Sequence, residues 1–84
     1  MPKKNQIVGQ RHITIEYFAD RAERKLVKRC RARYADRAIA SALRHLLTAA
    51  YPKARYCSIH DEARGKPIGR FAPTIAGFIF VKLS

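Results

Sequence analysis

Residues 20–51 run without a glycine or a proline, in the order DRAERKLVKRCRARYADRAIASALRHLLTAAY, and Pro52 follows. Most of these residues are good helix formers, so helix is the local expectation throughout. Asp20 is suited to cap the start, with Glu23 where a capping box places its acid. Pro52 stops the run, because a proline turns the residue before it away from helical angles. The apolar positions do not share one face. At about 100° per residue, Leu26, Val27, Cys30 and Tyr34 form one stripe, and Ile39, Leu43, Leu46, Leu47 and Ala50 form another on nearly the opposite side. A break near residues 34–36, with Asp36 capping a second helix, resolves the conflict. A single long helix, packed on a sheet at one end and on a partner at the other, is the alternative.

The same stretch concentrates the charge. Arg21, Arg24, Lys25, Lys28, Arg29, Arg31, Arg33 and Arg37 are opposed only by Glu23 and Asp36. On a helix, Arg21/Lys25, Arg24/Lys28, Lys25/Arg29 and Arg29/Arg33 are like-charge pairs at i,i+4, each unfavourable by about 0.2–0.5 kcal/mol. A merely solvated face mixes both signs, so a neutralising partner is the more economical expectation. The whole chain agrees: 84 residues carry a net charge of +12, a field that favours polyanions. Nucleic acid comes first among them, an acidic protein surface second and an anionic membrane third. The longest uninterrupted apolar run, residues 78–81, is far short of a membrane span. The start, MPKKNQIVGQRH, has charge but no apolar core, so no signal peptide is read and a cytoplasmic location is expected.

Outside that stretch the periodicity is two. In residues 11–18, Ile13, Ile15 and Tyr17 alternate with His12, Thr14 and Glu16, which predicts a half-buried strand. Residues 55–62 predict a second, with Cys57 and Ile59 on one face and Tyr56, Ser58, His60 and Glu62 on the other. Residues 63–73 hold Gly65, Pro67, Gly69 and Pro73 among Arg64, Lys66 and Arg70, and read as a turn or basic loop, with short pairing around Ile68 as the alternative. Residues 74–83 are the third strand, with Ile75, Ile79, Val81 and Leu83 opposite Phe78 and Phe80. The expected fold is α+β in two layers. A three-stranded antiparallel sheet, in strand-helix-strand-strand order, is covered by a long or broken helix. Residues 1–10 are expected to be a flexible basic arm carrying Lys3 and Lys4, and residues 11–84 a single domain.

Little in the chain points to catalysis. Its three histidines are scattered, and Ser58, His60 and Glu62, on one strand face, come with no nucleophile motif or oxyanion-forming turn. Gly65-Lys66 and Gly69-Arg70 lack the phosphate-binding loop pattern and suit backbone contact only. Cys57 and His60 have half the spacing of a zinc site, but alternation sends them to opposite faces and no second pair exists. No enzyme activity, cofactor or metal is expected. Cys30 and Cys57 make no disulfide framework.

Two local resemblances bear on partners. Gly77, Phe78, Phe80 and Val81 resemble the aromatic octamer of the RNA-recognition motif, which implies base stacking by Phe78 and Phe80 on an open sheet face. A second core layer or a dimer interface is the alternative for these two rings. Residues 11–51 resemble in layout a ribbon-helix-helix repressor, which implies that paired strands present His12, Thr14 and Glu16 to a major groove. The functional expectation is a small non-enzymatic nucleic-acid-binding module for DNA or RNA. Arg21, Arg24, Lys25, Lys28, Arg29, Arg31 and Arg33 on a basic helix would contact phosphates, with Arg64, Lys66 and Arg70 as a second patch. The alternative is an inhibitor or adaptor of mobile-element type, docking its basic face on an acidic surface of a larger complex. A homodimer, burying Leu26, Val27, Cys30 and Tyr34, is compatible with either.

Overall fold

The computed structural model describes residues 12–63 and 65–83. The arm at residues 1–10 and the cations Arg11 and Arg64 lie outside them. In chain order the elements are β1 (Ile13–Phe18), β2 (Leu26–Ala32), α1 (Ala35–Leu47), β3 (Tyr56–Asp61), β4 (Lys66–Thr74) and β5 (Gly77–Lys82). The strands form one five-stranded sheet in the order β2-β1-β3-β4-β5, and every neighbouring pair is antiparallel. This corrects the expected three-stranded sheet under a long or broken helix: the sheet has five strands and the helix is short.

The sheet is built around β1. Ile13, Ile15, Tyr17 and Phe18 are all buried, so both faces of this strand are covered at some point along it. The backbone N–H and C=O groups of so buried a strand need partners along both edges, and β3 supplies only one. The other is the segment read as the first helix. Residues 19–25 form a loop and Leu26–Ala32 pair with β1, placing Arg29 opposite Glu16 and Cys30 opposite Ile15. Two physical terms overrule helix propensity here, which is a weak prior. The run Arg29-Cys30-Arg31-Ala32 alternates with period two, so Cys30 and Ala32 pack on the core while Arg29 and Arg31 point away. Pairing with β1 also puts opposite charges side by side, whereas a helix stacks like charges.

The expected helix cap at Asp20 becomes a loop cap. Its carboxylate accepts the backbone N–H of Arg24 at 3.0 Å and of Lys25 at 2.8 Å. The Ala19 N–H donates to the Lys25 carbonyl at 2.9 Å, which closes the loop. Glu23 stands at φ 60°, a left-handed angle that no capping box contains.

Strands β2 and β3 run the same way, since each is antiparallel to β1, and parallel strands require a crossover. Helix α1 provides it. The chain does break at the expected place, but Tyr34 holds the N-cap position without a side-chain cap, and Asp36 sits in the first turn with its carboxylate accepting the Arg37 N–H. Ala38, Ala42 and Leu46 are the buried residues of α1, flanked by half-buried Ile39 and Leu43. Leu47, assigned to the buried stripe by spacing, is 59% exposed. The small Ala38 and Ala42 let the helix approach the sheet closely. The helix ends at Leu47, ahead of Pro52, and Ala49 turns the chain at φ 53°.

In residues 63–73 the turn or loop reading is corrected, and the pairing around Ile68 extends into a full strand. Most of these residues belong to β4, which lies between β3 and β5. Pro67 is tolerated because it sits at the bulge opposite His60, and Gly69 has the Phe80 ring lying over it. The core lies on the α1 side of the sheet, where Ile13, Ile15, Tyr17, Cys57, Ile59 and Phe71 meet Ala38, Ala42 and Leu46. Full burial of one such large aliphatic side chain contributes about 1.5–3 kcal/mol. Among the described residues the other face carries no helix. It presents, row by row, Arg29-Glu16-Ser58-Arg70-Val81 and Leu26-Phe18-Tyr56.

Candidate nucleic-acid interface

The predicted phosphate-contacting residues fall into two places, neither of them a helix. Arg21, Arg24 and Lys25 lie in the β1–β2 loop, Lys28, Arg29 and Arg31 on β2, and Arg33 directly after it. Because β2 is an edge of the sheet, this hairpin forms a basic rim along that edge, and its loop carries the rim over the open face as far as Arg21. Lys66 and Arg70 belong to β4, two positions across the sheet from β1. Arg64 is outside the described residues.

Two of these cations have carboxylate partners. Arg29 holds Glu16 through Nη2 at 2.8 Å and Nε at 2.9 Å, and Arg31 Nε lies 3.1 Å from Glu62 Oε2. Glu62 also accepts the Thr14 hydroxyl, and that bond, with Arg31 and His12 nearby, holds its carboxyl below the usual glutamate range. Among the described residues no carboxylate pairs with Arg21, Arg24, Lys25, Lys28, Arg33 or Arg70. Asp20, at the start of the loop, is turned onto backbone N–H groups, and Glu23, between Arg21 and Arg24 in sequence, is within ion-pair distance of none of these cations. Five of the seven hairpin cations are therefore without a carboxylate partner among the described residues.

The open face between rim and β5 is polar at its centre. Ser58 Oγ and His60 Nε2 are 2.7 Å apart, and Glu16 Oε1 lies 3.7 Å from the same His60 nitrogen. A Ser-His-acid triad needs the acid on the opposite ring nitrogen, where it orients the imidazole. Here both partners meet Nε2, and Ser58 is 2% exposed, so its hydroxyl is not presented to a substrate. The grouping reads as a satisfied hydrogen-bond network. Cys57 and His60 lie on opposite faces of β3, Cys57 in the core and His60 on the open side, so they do not form a half-site for a metal.

Phe78 and Phe80 are on the helix side, packed against the core, with the Phe80 ring 4.9 Å from the buried Phe71 ring. The open-face position implied for them by the RNA-recognition resemblance is thus not theirs. Of the two aromatics in the open-face rows, Phe18 is buried, and Tyr56 on β3 is half-buried and reachable from solvent. It borders a cavity of about 130 Å³ together with Arg21, Glu23, Arg70 and Val81. Sequence spacing placed Tyr56 on the outward face of its strand, yet only the sheet order brings Arg21 and Arg70 to it. Beneath the sheet, Tyr17, His45 and Tyr51 form a ring cluster in which Tyr17 Oη lies 2.9 Å from His45 Nδ1. Burial pushes the Cys57 thiol up to about 12, with Cys30 adding to it, which leaves Cys57 an inert core residue.

Compared with models of protein families, with curated proteins and with solved structures, the chain matches none. Among the described residues no helix is long and apolar enough to cross a membrane.

Proposed function

We propose that this protein is a small, non-enzymatic nucleic-acid-binding module whose β1–β2 hairpin contacts phosphates. One observation carries the reading: Arg21, Arg24 and Lys25 in the β1–β2 loop, with Lys28 and Arg33 on and just after the edge strand β2, form a basic rim with no carboxylate partner among the described residues. Such a rim is unfavourable by self-repulsion and becomes favourable when a phosphate backbone replaces its counterions. A cytoplasmic location goes with this reading.

The test is a titration of duplex and single-stranded oligonucleotides at several salt concentrations. Neutralising all five rim cations predicts a log–log slope of about −4.5 on duplex and about −3.5 on a single strand. A flat salt response, or no binding at low salt, overturns the proposal. The second reading, an adaptor or inhibitor for an acidic protein, draws on one feature: among the described residues β2 is an edge strand with an unpaired side, to which an acidic partner strand can add. Capture of a protein from nuclease-treated lysate, lost at high salt and lost when rim cations are replaced, favours that reading instead.

A further inference from the structure

We propose that the cavity beside Tyr56 receives one unpaired base of a single-stranded nucleic acid, with the adjoining phosphates on Arg21 and Arg70. The inference rests on the nucleic-acid reading above and adds to it the strand form that is bound.

The cavity, about 130 Å³, is assembled from parts distant in sequence: Arg21 and Glu23 from the β1–β2 loop, Tyr56 from β3, Arg70 from β4 and Val81 from β5. Its floor is the open face of the sheet. Across that face Tyr56 and Arg70 are diagonal neighbours on adjacent strands, since Ser58 pairs with Arg70 and Tyr56 lies two residues before Ser58 on the same side. Tyr56 and Val81 give an aromatic and an aliphatic surface suited to a flat ring. Arg21 and Arg70 are exposed and, among the described residues, have no carboxylate within ion-pair distance, so they are available to anions. Glu23 on the same wall decides what goes where: it repels a phosphate from the cavity and tolerates an uncharged base, leaving phosphates to the two arginines. Arg24 and Lys25 are in the same loop as Arg21 and are exposed, which joins the cavity to the rest of the basic rim.

A base reaches a side chain in this way only when it is unpaired, because a duplex keeps its bases stacked and covered. Stacking on an aromatic ring is tolerant of sequence, so the site selects the strand form over the base identity.

The experiment is a fluorescence-anisotropy titration of a labelled single strand and a labelled blunt-ended, loop-free duplex against wild type, Tyr56→Leu and Tyr56→Phe. Folding of each is verified by circular dichroism. Tyr56→Leu is expected to weaken single-strand binding roughly tenfold, to leave duplex binding unchanged and to keep the salt slope. Tyr56→Phe keeps the ring and the affinity. Arg70→Gln, which removes a charge from an exposed position, serves if Tyr56→Leu does not fold; it is expected to flatten the single-strand salt slope by about 0.7. Unchanged single-strand binding by Tyr56→Leu or by Arg70→Gln overturns the cavity assignment and leaves the module reading standing. Equal loss on single strand and duplex also overturns it. Failure of the wild type to bind either form at low salt overturns both.

Discussion

Arg29 reaches across from β2 to β1 and holds the Glu16 carboxylate through two nitrogens, at 2.8 Å and 2.9 Å. This cross-strand pair, with Arg31 on Glu62 beside it, marks the part of the basic hairpin that the protein neutralises for itself. The remaining loop and strand cations are left to solvent and partners. The pair is exposed on its Arg29 side, at 60%, so its stabilising contribution is small, while its effect on the surface charge is a full unit.

Glu16→Gln releases Arg29. Stability is expected to change by less than about 1 kcal/mol. Nucleic-acid affinity is expected to rise, with the log–log salt slope on duplex steepening by about 0.9 as one more cation becomes available. Urea denaturation and the salt titration measure the two effects separately. An unaltered slope would place Arg29 away from the bound polyanion.

Gly69→Ala tests the packing of β4 against β5. A Cβ there would lie 2.3 Å from Phe80 Cζ and 2.7 Å from the Val81 carbonyl oxygen. The ring can swing, but the backbone oxygen belongs to the β4–β5 ladder and cannot move without disturbing it. The expected cost is about 1–3 kcal/mol, as for other overpacked sites, read as a lower urea midpoint. A midpoint equal to wild type would contradict the placement of Phe80 over Gly69.

The acid limb of the stability curve should register Glu62. Its carboxyl is held below the ordinary value of 4.5, first by the Thr14 hydroxyl and then by Arg31 and His12. A depressed folded-state value favours the ionised form, so this contribution is present above the unfolded value and is lost as the pH falls through the lowered one. Thr14→Val is expected to move the Glu62 titration, followed by carboxyl NMR shifts, back upward. No movement would show that the hydroxyl does not govern it.

Cys57 predicts a kinetic contrast. The thiol is fully buried and shifted up to about 12 by that burial, whereas Cys30 is half-buried beside Tyr51 Oη at 3.6 Å. At neutral pH a thiol reagent is expected to reach Cys57 only through global opening, with Cys30 labelled first, as resolved by mass spectrometry of timed samples. The raised value also means that stability is kept below the ordinary thiol value of 9.0 and falls as the pH climbs from there toward 12. Equal labelling of both thiols in the native protein would contradict the burial of Cys57.

Much of this molecule could be read from local pattern. The alternation of Ile13, Ile15 and Tyr17, the opposed faces of β3, the separation of Phe78 and Phe80 from Ile79 and Val81, and the chain break before α1 all follow from periods of two and 3.6 in side-chain direction. Net charge is a matter of composition alone. Two segments were decided elsewhere. Residues 20–33 have the local preferences of a helix, and residues 63–73 have the glycines and prolines of a turn, yet they supply β2 and β4. A helix satisfies its backbone within itself, so neighbouring residues suffice to predict it; a strand borrows its hydrogen bonds from chain far away in sequence. Leu26–Ala32 is a strand because β1 has an open edge to fill, and Lys66–Thr74 because β3 and β5 accept it between them. For the same reason the meeting of Tyr56, Arg21 and Arg70 exists only in the folded sheet.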